Sequence, residues 1–498
     1  MPDSIVELKG ISKSFYGAQA LNDINFNIEY GKTCCLVGEN GSGKSTMIKI
    51  IAGVYKQDKG QLYINGNLMS KMSPIKAMEE GIQIIFQDFS LFPNMTVAEN
   101  IVFNNQLTTG KRLFNWKESK AMAKETMQRL NIDIDLDEKV ENLPVAEKQL
   151  VAICRAIMQN AKLIIMDEPT TALTNKEIQS LFKVIDNLKQ NGISILFVSH
   201  KLDEVFALSD KIYILRNGNL VSEGDVSQYN HDNVVYYMTG KNIVREGYPY
   251  TKSENSRLLM QVKGLTKPTF FEDINFHLYS GEILGITGLL GCGRTELAKA
   301  LFGLFPYDSG TINLDGKEVH IKDTQDALDN KIAYVPEDRL TEGLFLERSI
   351  SNNIITTIIE SLTNKYHKLS KTKIKNVVGD SIKKLNIKTT SAELPVRSLS
   401  GGNQQRVVIG RWLATKPQIL ILNCPTVGVD IGSKDEIHKT IKALAKEKIG
   451  VIVISDDVPE LMNICNRVII MQKGKFINEY QCKDIDENVI EKDLIEIH

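Results

Sequence analysis

The 498-residue sequence contains no long hydrophobic run. No uninterrupted apolar stretch reaches the roughly 18 residues that a helix needs to cross a bilayer. The first six residues, Met-Pro-Asp-Ser-Ile-Val, also lack the basic and apolar regions of a signal peptide. We therefore expect a chain without a membrane span that stays in the cytoplasm.

Cysteine is scarce, and its spacing is not that of a metal site. The seven cysteines include no Cys-x-x-Cys pair, and Cys34 and Cys35 are adjacent in an apolar run. Disulfide frameworks and zinc sites need paired cysteines at suitable spacings. The sequence therefore predicts reduced, mostly buried thiols.

Neither sign of charge is in excess. There are 60 basic and 61 acidic residues, with a formal net charge of −1. A balanced chain has no bulk attraction for nucleic acid or for an anionic membrane, so we expect no nucleic-acid partner. The length exceeds what one hydrophobic core supports, which predicts two to four domains.

The sequence does contain a glycine-rich phosphate loop. Positions 38–45 read Gly-Glu-Asn-Gly-Ser-Gly-Lys-Ser, between an apolar strand-like run at 33–37 and a helical pattern at 47–51. Such a loop directs backbone N–H groups at phosphate oxygens, while Lys44 adds a cation and Ser45 offers a hydroxyl to magnesium. The flanking strand and helix favour this function over a chance glycine turn, because the helix N-terminus then faces the phosphates.

The chain repeats itself. Residues 21–27 recur in altered form at 271–277, 250 positions later, and Ser199 and Ser455 are matching landmarks 256 positions apart. Duplication predicts two domains, 1–240 and 258–498, joined by a polar linker at 241–257. Within each copy, apolar strand-like runs alternate with helical patterns, which favours an α/β fold with a mostly parallel sheet.

Two adjacent carboxylates follow the apolar run 163–166. Because unpaired buried charge is costly, Asp167 and Glu168 require a cation or a polar reaction. Asp167 suits magnesium, and Glu168 suits polarising an attacking water. His200 and Gln87 also follow apolar runs, but either residue alone is equally consistent with an ordinary surface or core position.

The octapeptide Leu-Ser-Gly-Gly-Asn-Gln-Gln-Arg at 399–406 resembles the signature of ABC transporter ATPases, and the resemblance covers essentially the whole chain. Ser400 and the glycine N–H groups would start a helix, where backbone donors favour an anion. The resemblance implies two tandem P-loop ATPase domains, each with a mixed sheet core and a helical subdomain. It also implies composite sites, in which the phosphate loop of one domain faces the signature of the other.

The same resemblance implies residue roles at a first, complete site that binds ATP and Mg²⁺. Phe15 would stack on adenine, although a core aromatic near the sheet edge is an equal alternative. The implied nucleotide contacts are Phe15, Gly38, Asn40, Gly41, Gly43, Lys44, Ser45, Thr46, Gln87, Asp167, Ser400, Gly401 and Gly402. The implied magnesium ligands are Ser45, Gln87 and Asp167, and the implied catalytic residues are Glu168, His200, Gln87 and Lys44.

The second implied site is altered at nearly every position. Arg294 replaces the lysine, and Asn423 and Cys424 replace the two carboxylates. An amide carries no charge for magnesium, and a thiol is a poor base for water. The other changes are Glu337 for the glutamine, Asp456 for the histidine, and Pro144 and Ala146 in the facing signature. We expect little or no hydrolysis there, while nucleotide binding through 288–295 stays open.

Residues 288–296, 335–339 and 399–406 resemble the ATP-binding subunits of bacterial importers for ribose, galactose and xylose. The resemblance implies hydrolysis of ATP coupled to import of a simple sugar through separate integral-membrane permease subunits. It further implies an extracytoplasmic solute-binding protein and a peripheral location at the cytoplasmic face of the membrane.

Two alternatives stay open. A soluble ABC protein acting on the ribosome or on nucleic acid would carry a long charged helical linker or zinc-binding cysteine clusters, and the sequence has neither. A sensor that binds nucleotide without turnover would have no need for Glu168. Measurable ATP hydrolysis that disappears in Glu168→Gln would separate these functions.

Overall fold

A computed structural model describes residues 4–15, 18–86, 89–109, 116–170, 173, 175–199, 201–241, 248, 256–289, 291–364 and 367–496. For 104–109, 175, 487–488 and 495–496 only the backbone is described. The chain divides into two compact units, Met1–Ile243 (unit 1) and Val244–His498 (unit 2). The predicted linker 241–257 lies largely outside the described residues.

The described strands of unit 1 form two sheets. The strands are β1 (Ser4–Phe15), β2 (Ala18–Glu29), β3 (Thr33–Gly38), β4 (Lys59–Ile64), β5 (Asn67–Leu68), β6 (Ile82–Ile85), β7 (Leu163–Asp167), β8 (Ser194–Val198), β9 (Lys211–Arg216) and β10 (Asn219–Asp225). One sheet has the order β2-β1-β4-β5 and is antiparallel. The other has the order β10-β9-β3-β8-β7-β6 and is parallel except for the β9–β10 pair.

Helices cover the sheets of unit 1. They are α1 (Lys44–Ile51), α2 (Pro74–Glu79), α3 (Val97–Thr109), α4 (Trp116–Arg129), α5 (Val145–Met158), α6 (Asn175–Gln190), α7 (Leu202–Leu208) and α8 (His231–Thr239). Helices α3, α4 and α5 lie between β6 and β7 in the sequence and pack on one another. They form the helical subdomain that the family resemblance predicts.

Unit 2 repeats this arrangement. Its strands are β11 (Leu258–Lys267), β12 (Phe271–Tyr279), β13 (Ile283–Thr287), β14 (Ser309–Leu314), β15 (Lys317–Val319), β16 (Ile332–Val335), β17 (Ile419–Asn423), β18 (Gly450–Ile454), β19 (Arg467–Gln472) and β20 (Lys475–Gln481). Its helices are α9 (Arg294–Leu301), α10 (Thr324–Asp329), α11 (Ile350–Ile355), α12 (Lys371–Lys384), α13 (Gly401–Leu413), α14 (Ile431–Lys446), α15 (Val458–Ile464) and α16 (Glu487–Glu496). The sheet orders are β12-β11-β14-β15 and β16-β17-β18-β13-β19-β20.

The central strands are apolar because helices cover both faces of a parallel sheet. Every residue of β3, β8, β13 and β18 is buried. A fully buried isoleucine or leucine contributes about 1.5–3 kcal/mol relative to an exposed one. These continuous runs therefore supply much of the core and hold the carboxyl ends of the strands in place.

The strand order brings the predicted site residues of unit 1 to one edge. Strands β3 and β7 flank β8 in parallel, and both Leu36 and Asp167 pair with Val198. The phosphate loop after β3 and the carboxylates after β7 therefore lie at the same level of the sheet.

The mixed α/β architecture agrees with the sequence-based prediction. The separate four-stranded antiparallel sheet was not foreseen, because alternating strand and helix patterns do not reveal which strands pair. Among the residues that the structure describes, no helix is both long and apolar enough to span a bilayer.

Candidate nucleotide sites

The phosphate loop of unit 1 requires glycine at its turns. Gly41 and Gly43 have φ values of 82° and 110°, in the region that L side chains rarely adopt. A Cβ atom at Gly43 would lie 2.6 Å from the carbonyl oxygen of Ala20. The loop therefore keeps its backbone free to approach a ligand, and α1 begins directly after it.

Lys44 is the first residue of α1, and its side chain folds back over the loop. The residue is 6% exposed, and Nζ donates hydrogen bonds to the carbonyl oxygens of Gly38 at 2.7 Å and Glu39 at 3.0 Å. Ser45 follows with an exposed side chain. A positive charge and a hydroxyl thus stand at the N-terminus of a helix, where phosphate binds well.

Asp167 ends β7 and Glu168 follows it. Burial raises the pKa of Asp167, and the neighbouring Glu168 charge raises it further, while Lys44 and Lys49 act in the opposite direction. Glu168 has a φ of 49°, and its amide donates to the carbonyl oxygen of Val198 at 2.9 Å. These half-buried carboxylates lie at the same sheet edge as the phosphate loop that carries Ser45, and negative charge in such a place suits a divalent cation.

Glu204 fixes the segments beside these carboxylates. Its Oε2 atom accepts hydrogen bonds from Thr170 Oγ1 at 2.7 Å and from Ser199 Oγ at 2.9 Å. The side chain is buried, and the two donors follow β7 and β8 respectively. One carboxylate therefore ties together the two strand ends that flank the site.

Of three further predicted residues, the structure describes one. Phe15 ends β1 half-buried, with its ring in a T-shaped contact with Tyr55 at 5.2 Å between centroids. Phe15 is the last residue of its strand, and this position is consistent both with adenine stacking and with packing as a core aromatic. Gln87 and His200 lie outside the described residues.

In unit 2, the predicted signature begins a helix. Ser400 precedes α13 in an extended conformation, and its Oγ accepts a hydrogen bond from Asn403 Nδ2 at 2.9 Å instead of capping the helix. Gly402 is buried, and a Cβ there would lie 2.3 Å from Ser433 Cβ. The N–H groups at this helix start are therefore held by close packing.

The corresponding segment of unit 1 has a different helix start. Pro144 precedes α5, and Val145 and Ala146 occupy the positions of the two glycines. Proline offers no hydroxyl, and side chains replace the exposed glycine backbone. The loss of signature chemistry on this segment stays a prediction.

The second phosphate loop retains the form of the first with altered side chains. Arg294 begins α9 and is 6% exposed, and its Nη1 donates to the carbonyl oxygen of Gly288 at 2.5 Å. Asn423 ends β17, fully buried, with Nδ2 3.4 Å from Thr295 Oγ1. Burial raises the pKa of Cys424 to about 12, so this thiol stays neutral.

Three residues near these loops received no predicted role. Tyr334 places its hydroxyl 3.4 Å from Asn423 Nδ2, Arg339 contacts the segment after β17, and Phe270 packs beside the second loop. Comparison of the two copies gives a partial signal, because Ile84 and Phe89 stand at the positions of Tyr334 and Arg339. The contacts themselves depend on tertiary structure.

Comparison with known proteins identifies the family of this chain. The sequence profile described as ABC transporter matches residues 21–171 and 271–427. The chain is 37% identical over 488 residues to the ribose import ATP-binding protein RbsA of Caldanaerobacter subterraneus, covering 98% of each protein. It is 38% identical over 485 residues to the protein of the same name from Bacillus subtilis, covering 97% of this chain and 98% of that protein. A solved structure, the ADP conformation of MJ1267, an ATP-binding cassette of an ABC transporter, is 28% identical, covering 48% of this chain and 99% of that chain at a TM-score of 0.43.

The chain therefore belongs to the ABC transporter family. It carries two tandem copies of the family's ATP-binding domain, and its enzyme class is that of the family's ATP hydrolases. The predicted family and fold are confirmed. The roles of individual site residues stay predictions.

Proposed function

We propose that this chain is the ATP-hydrolysing subunit of an importer for a simple sugar, with one competent and one degenerate ATP site. The observation that carries the proposal is the contrast between the two sheet edges. Unit 1 brings Lys44, Asp167 and Glu168 together, whereas unit 2 has Arg294, Asn423 and Cys424 at the matching places.

The competent site uses the charges of unit 1. Lys44 holds the phosphates against the loop, and Glu168 accepts a hydrogen bond from the attacking water and orients it. Ser45 and Asp167 would hold Mg²⁺, the family resemblance adds Gln87 as a further ligand, and the ion would supply positive charge against the phosphates. The family resemblance gives His200 a catalytic role at this site.

The family resemblance assigns Ser400, Gly401 and Gly402 to the first site as its signature, and the Pro144 segment to the second site. The helix start at Gly401 presents backbone donors that suit a phosphate. Hydrolysis is then confined to the site that draws its carboxylates from unit 1.

The names of the relatives support the transported substrate. Both are ribose import ATP-binding proteins, so a pentose such as ribose is the first sugar to test. The sugar passes through separate integral-membrane permease subunits, and an extracytoplasmic solute-binding protein delivers it. The chain acts as a peripheral subunit at the cytoplasmic face of the membrane.

The test is phosphate release by the purified full chain and by two matched variants. Glu168→Gln is expected to lower turnover by about 100-fold or more, because it removes the group that orients the water. Cys424→Ala changes the matching position of unit 2 and is expected to keep turnover within about threefold. Undiminished turnover in Glu168→Gln would refute this mechanism.

Sugar import is tested in cells that carry the chain and its permease. Uptake of radiolabelled ribose is expected in the wild type and not in the Glu168→Gln strain. ATP hydrolysis without sugar-dependent uptake of ribose or a related monosaccharide would contradict the transport part of the proposal. Nucleotide binding without any turnover would support the sensor alternative.

A further inference from the structure

Unit 2 retains the backbone of a phosphate-binding loop. Gly291 and Gly293 have φ values of 79° and 101°, close to the values of Gly41 and Gly43 in unit 1. A Cβ at Gly293 would lie 2.0 Å from the carbonyl oxygen of Phe270, so this turn also requires glycine. The backbone turns of the loop have therefore been retained although arginine replaces the lysine.

Arg294 takes the place of the lysine in that loop. Its Nη1 donates to the carbonyl oxygen of Gly288, as Lys44 Nζ does to Gly38, and both residues are 6% exposed. A guanidinium carries five N–H donors in a plane and a fixed positive charge, a combination that suits phosphate oxygens. The second loop thus keeps a cation at the phosphate position.

An aromatic ring also remains beside the second loop. Phe270 is 37% exposed and packs edge-on against Phe305 at 5.0 Å between centroids. In unit 1 the corresponding contact joins Phe15 and Tyr55 at 5.2 Å. The β1–β2 and β11–β12 connections differ in length, so the ring comes from a different sequence position but reaches a similar place. An exposed aryl face next to a phosphate loop suits a nucleoside base.

The residues at the positions of the two carboxylates have changed in the second site. Asn423 is fully buried, and its Nδ2 lies 3.4 Å from both Thr295 Oγ1 and the Tyr334 hydroxyl. Its Oδ1 has no hydrogen-bond partner within the described residues. Cys424 follows as a buried neutral thiol. Magnesium prefers charged oxygen ligands, so these residues do not fit the Mg²⁺ that the family implies.

The charges near the second phosphate loop also argue against a bound metal ion. In unit 1, one lysine stands against two carboxylates at 167 and 168. In unit 2, Arg294 stands against an amide and a thiol. Of the carboxylates nearby, Asp456 lies 3.7 Å from Arg294 Nη2 with its side chain 69% exposed, Glu337 is exposed, and the buried Glu460 is paired with His438 at 2.8 Å. The buried cation of the second site therefore has no carboxylate at 423 or 424, whereas Lys44 of the first site has two half-buried carboxylates at the matching positions.

We propose that unit 2 binds a nucleoside diphosphate or triphosphate that carries no divalent metal ion, and that it holds this nucleotide without hydrolysing it. Arg294 binds the phosphates, Thr295 donates its hydroxyl to them because Asn423 Nδ2 occupies a lone pair of its oxygen, and Phe270 stacks on the base. This inference goes beyond the proposed function, which concerns hydrolysis by the residues of unit 1.

The test measures binding of the fluorescent analogue MANT-ADP to the full chain carrying Lys44→Ala, in excess EDTA and in excess Mg²⁺. We expect one equivalent to bind in both conditions, with dissociation constants within about threefold of each other. The double variant Lys44→Ala/Arg294→Ala gives the background from the first site and is expected to lose this binding in EDTA. Phe270→Ala in the Lys44→Ala chain is expected to weaken it by about tenfold.

A matched variant returns the carboxylate to the metal position. In Lys44→Ala/Asn423→Asp, binding in EDTA is expected to weaken by about tenfold or more, and Mg²⁺ is expected to restore it. Binding to the Lys44→Ala chain that disappears in EDTA would overturn the inference, as would no binding above the double-variant background. Either result leaves the Glu168→Gln test unaffected, so the two proposals fail separately.

Discussion

In unit 2, Arg339 Nη1 donates a hydrogen bond to the carbonyl oxygen of Val427 at 2.6 Å, and Nη2 donates to the carbonyl oxygen of Gly428 at 3.1 Å. The same guanidinium lies against Gly401, where an added Cβ would be 2.9 Å from Nη2. Arg339 therefore joins three segments: the loop after β16, the turn after β17 and the start of α13. Phe89 stands at its place in unit 1, so the link belongs to the unit that carries the intact signature.

Replacing Arg339 tests whether this link positions the signature. We expect Arg339→Lys and Arg339→Ala to lower kcat for ATP hydrolysis by about tenfold each, with little change in KM. An ammonium cannot bridge two carbonyl groups as the planar fork does, so lysine should not rescue turnover. Arg397→Ala, which breaks an exposed ion pair with Glu347, is the control. Full turnover in Arg339→Lys would show that charge alone suffices.

The asymmetry of the two loops predicts unequal effects of matched substitutions. Lys44→Ala is expected to reduce phosphate release at saturating ATP by about 100-fold or more, because it removes the cation of the only site with both carboxylates. Arg294→Ala is expected to reduce it by no more than about fivefold. Equal losses in the two variants would mean that the second site also takes part in turnover.

Close packing at Gly402 predicts a steric defect that can be repaired. Gly402→Ala would place a Cβ 2.3 Å from that of Ser433, and we expect it to lower turnover by about tenfold or more through displacement of the helix start. Ser433→Gly in the same chain removes the opposing atom and is expected to recover most of the loss. If the second change recovers nothing, the Gly402 backbone itself must contact the ligand.

Acid stability of unit 2 should depend on Glu460. Burial opposes ionisation of this carboxyl, but His438 Nε2 at 2.8 Å, Lys434 and Thr426 outweigh it and lower its pKa from 4.5 to about 2. Because the folded-state value is depressed, the stabilisation is complete above pH 4.5 and disappears as the pH falls toward 2. Its size is on the order of 3 kcal/mol in the free energy of unfolding.

The measurement follows unfolding through Trp412 fluorescence, since Trp412 packs on Phe302 in unit 2 at 5.2 Å. Glu460→Gln is expected to unfold at lower denaturant near neutral pH and to lose less stability than the wild type between about pH 5 and about pH 3. Glu204→Gln, the matched change in unit 1, should leave the Trp412 transition in place. An unchanged acid profile in Glu460→Gln would contradict the assignment.

Much of the first site could be predicted because its signals are local. The glycines at 41 and 43 mark a loop that needs positive φ, and the apolar runs on either side specify a buried strand and a packed helix. Asp167 and Glu168 stand directly after another apolar run. The changes in the second unit were visible for the same reason, since alignment of two copies in one chain exposes each substitution.

Other features had no local signal. Phe270 reaches the place beside the second loop only because the β11–β12 connection shifts it there, and no spacing rule indicated this position. Arg339 follows a strand in the sequence, yet its partners at 427 and 428 lie almost 90 residues further along the chain. Tyr334 reads as an ordinary strand residue until its hydroxyl is found near Asn423.

Glycine spacing, apolar periodicity and side-chain type act over a few residues, so the two-copy organisation, the phosphate loops and the identity of the charged groups follow from the sequence alone. Strand order depends on long-range packing, so the groups that share a sheet edge and the groups that are buried became known from the folded structure. Asn423, Cys424 and Arg294 are all buried, whereas the same substitutions on an exposed loop would leave room for water and metal.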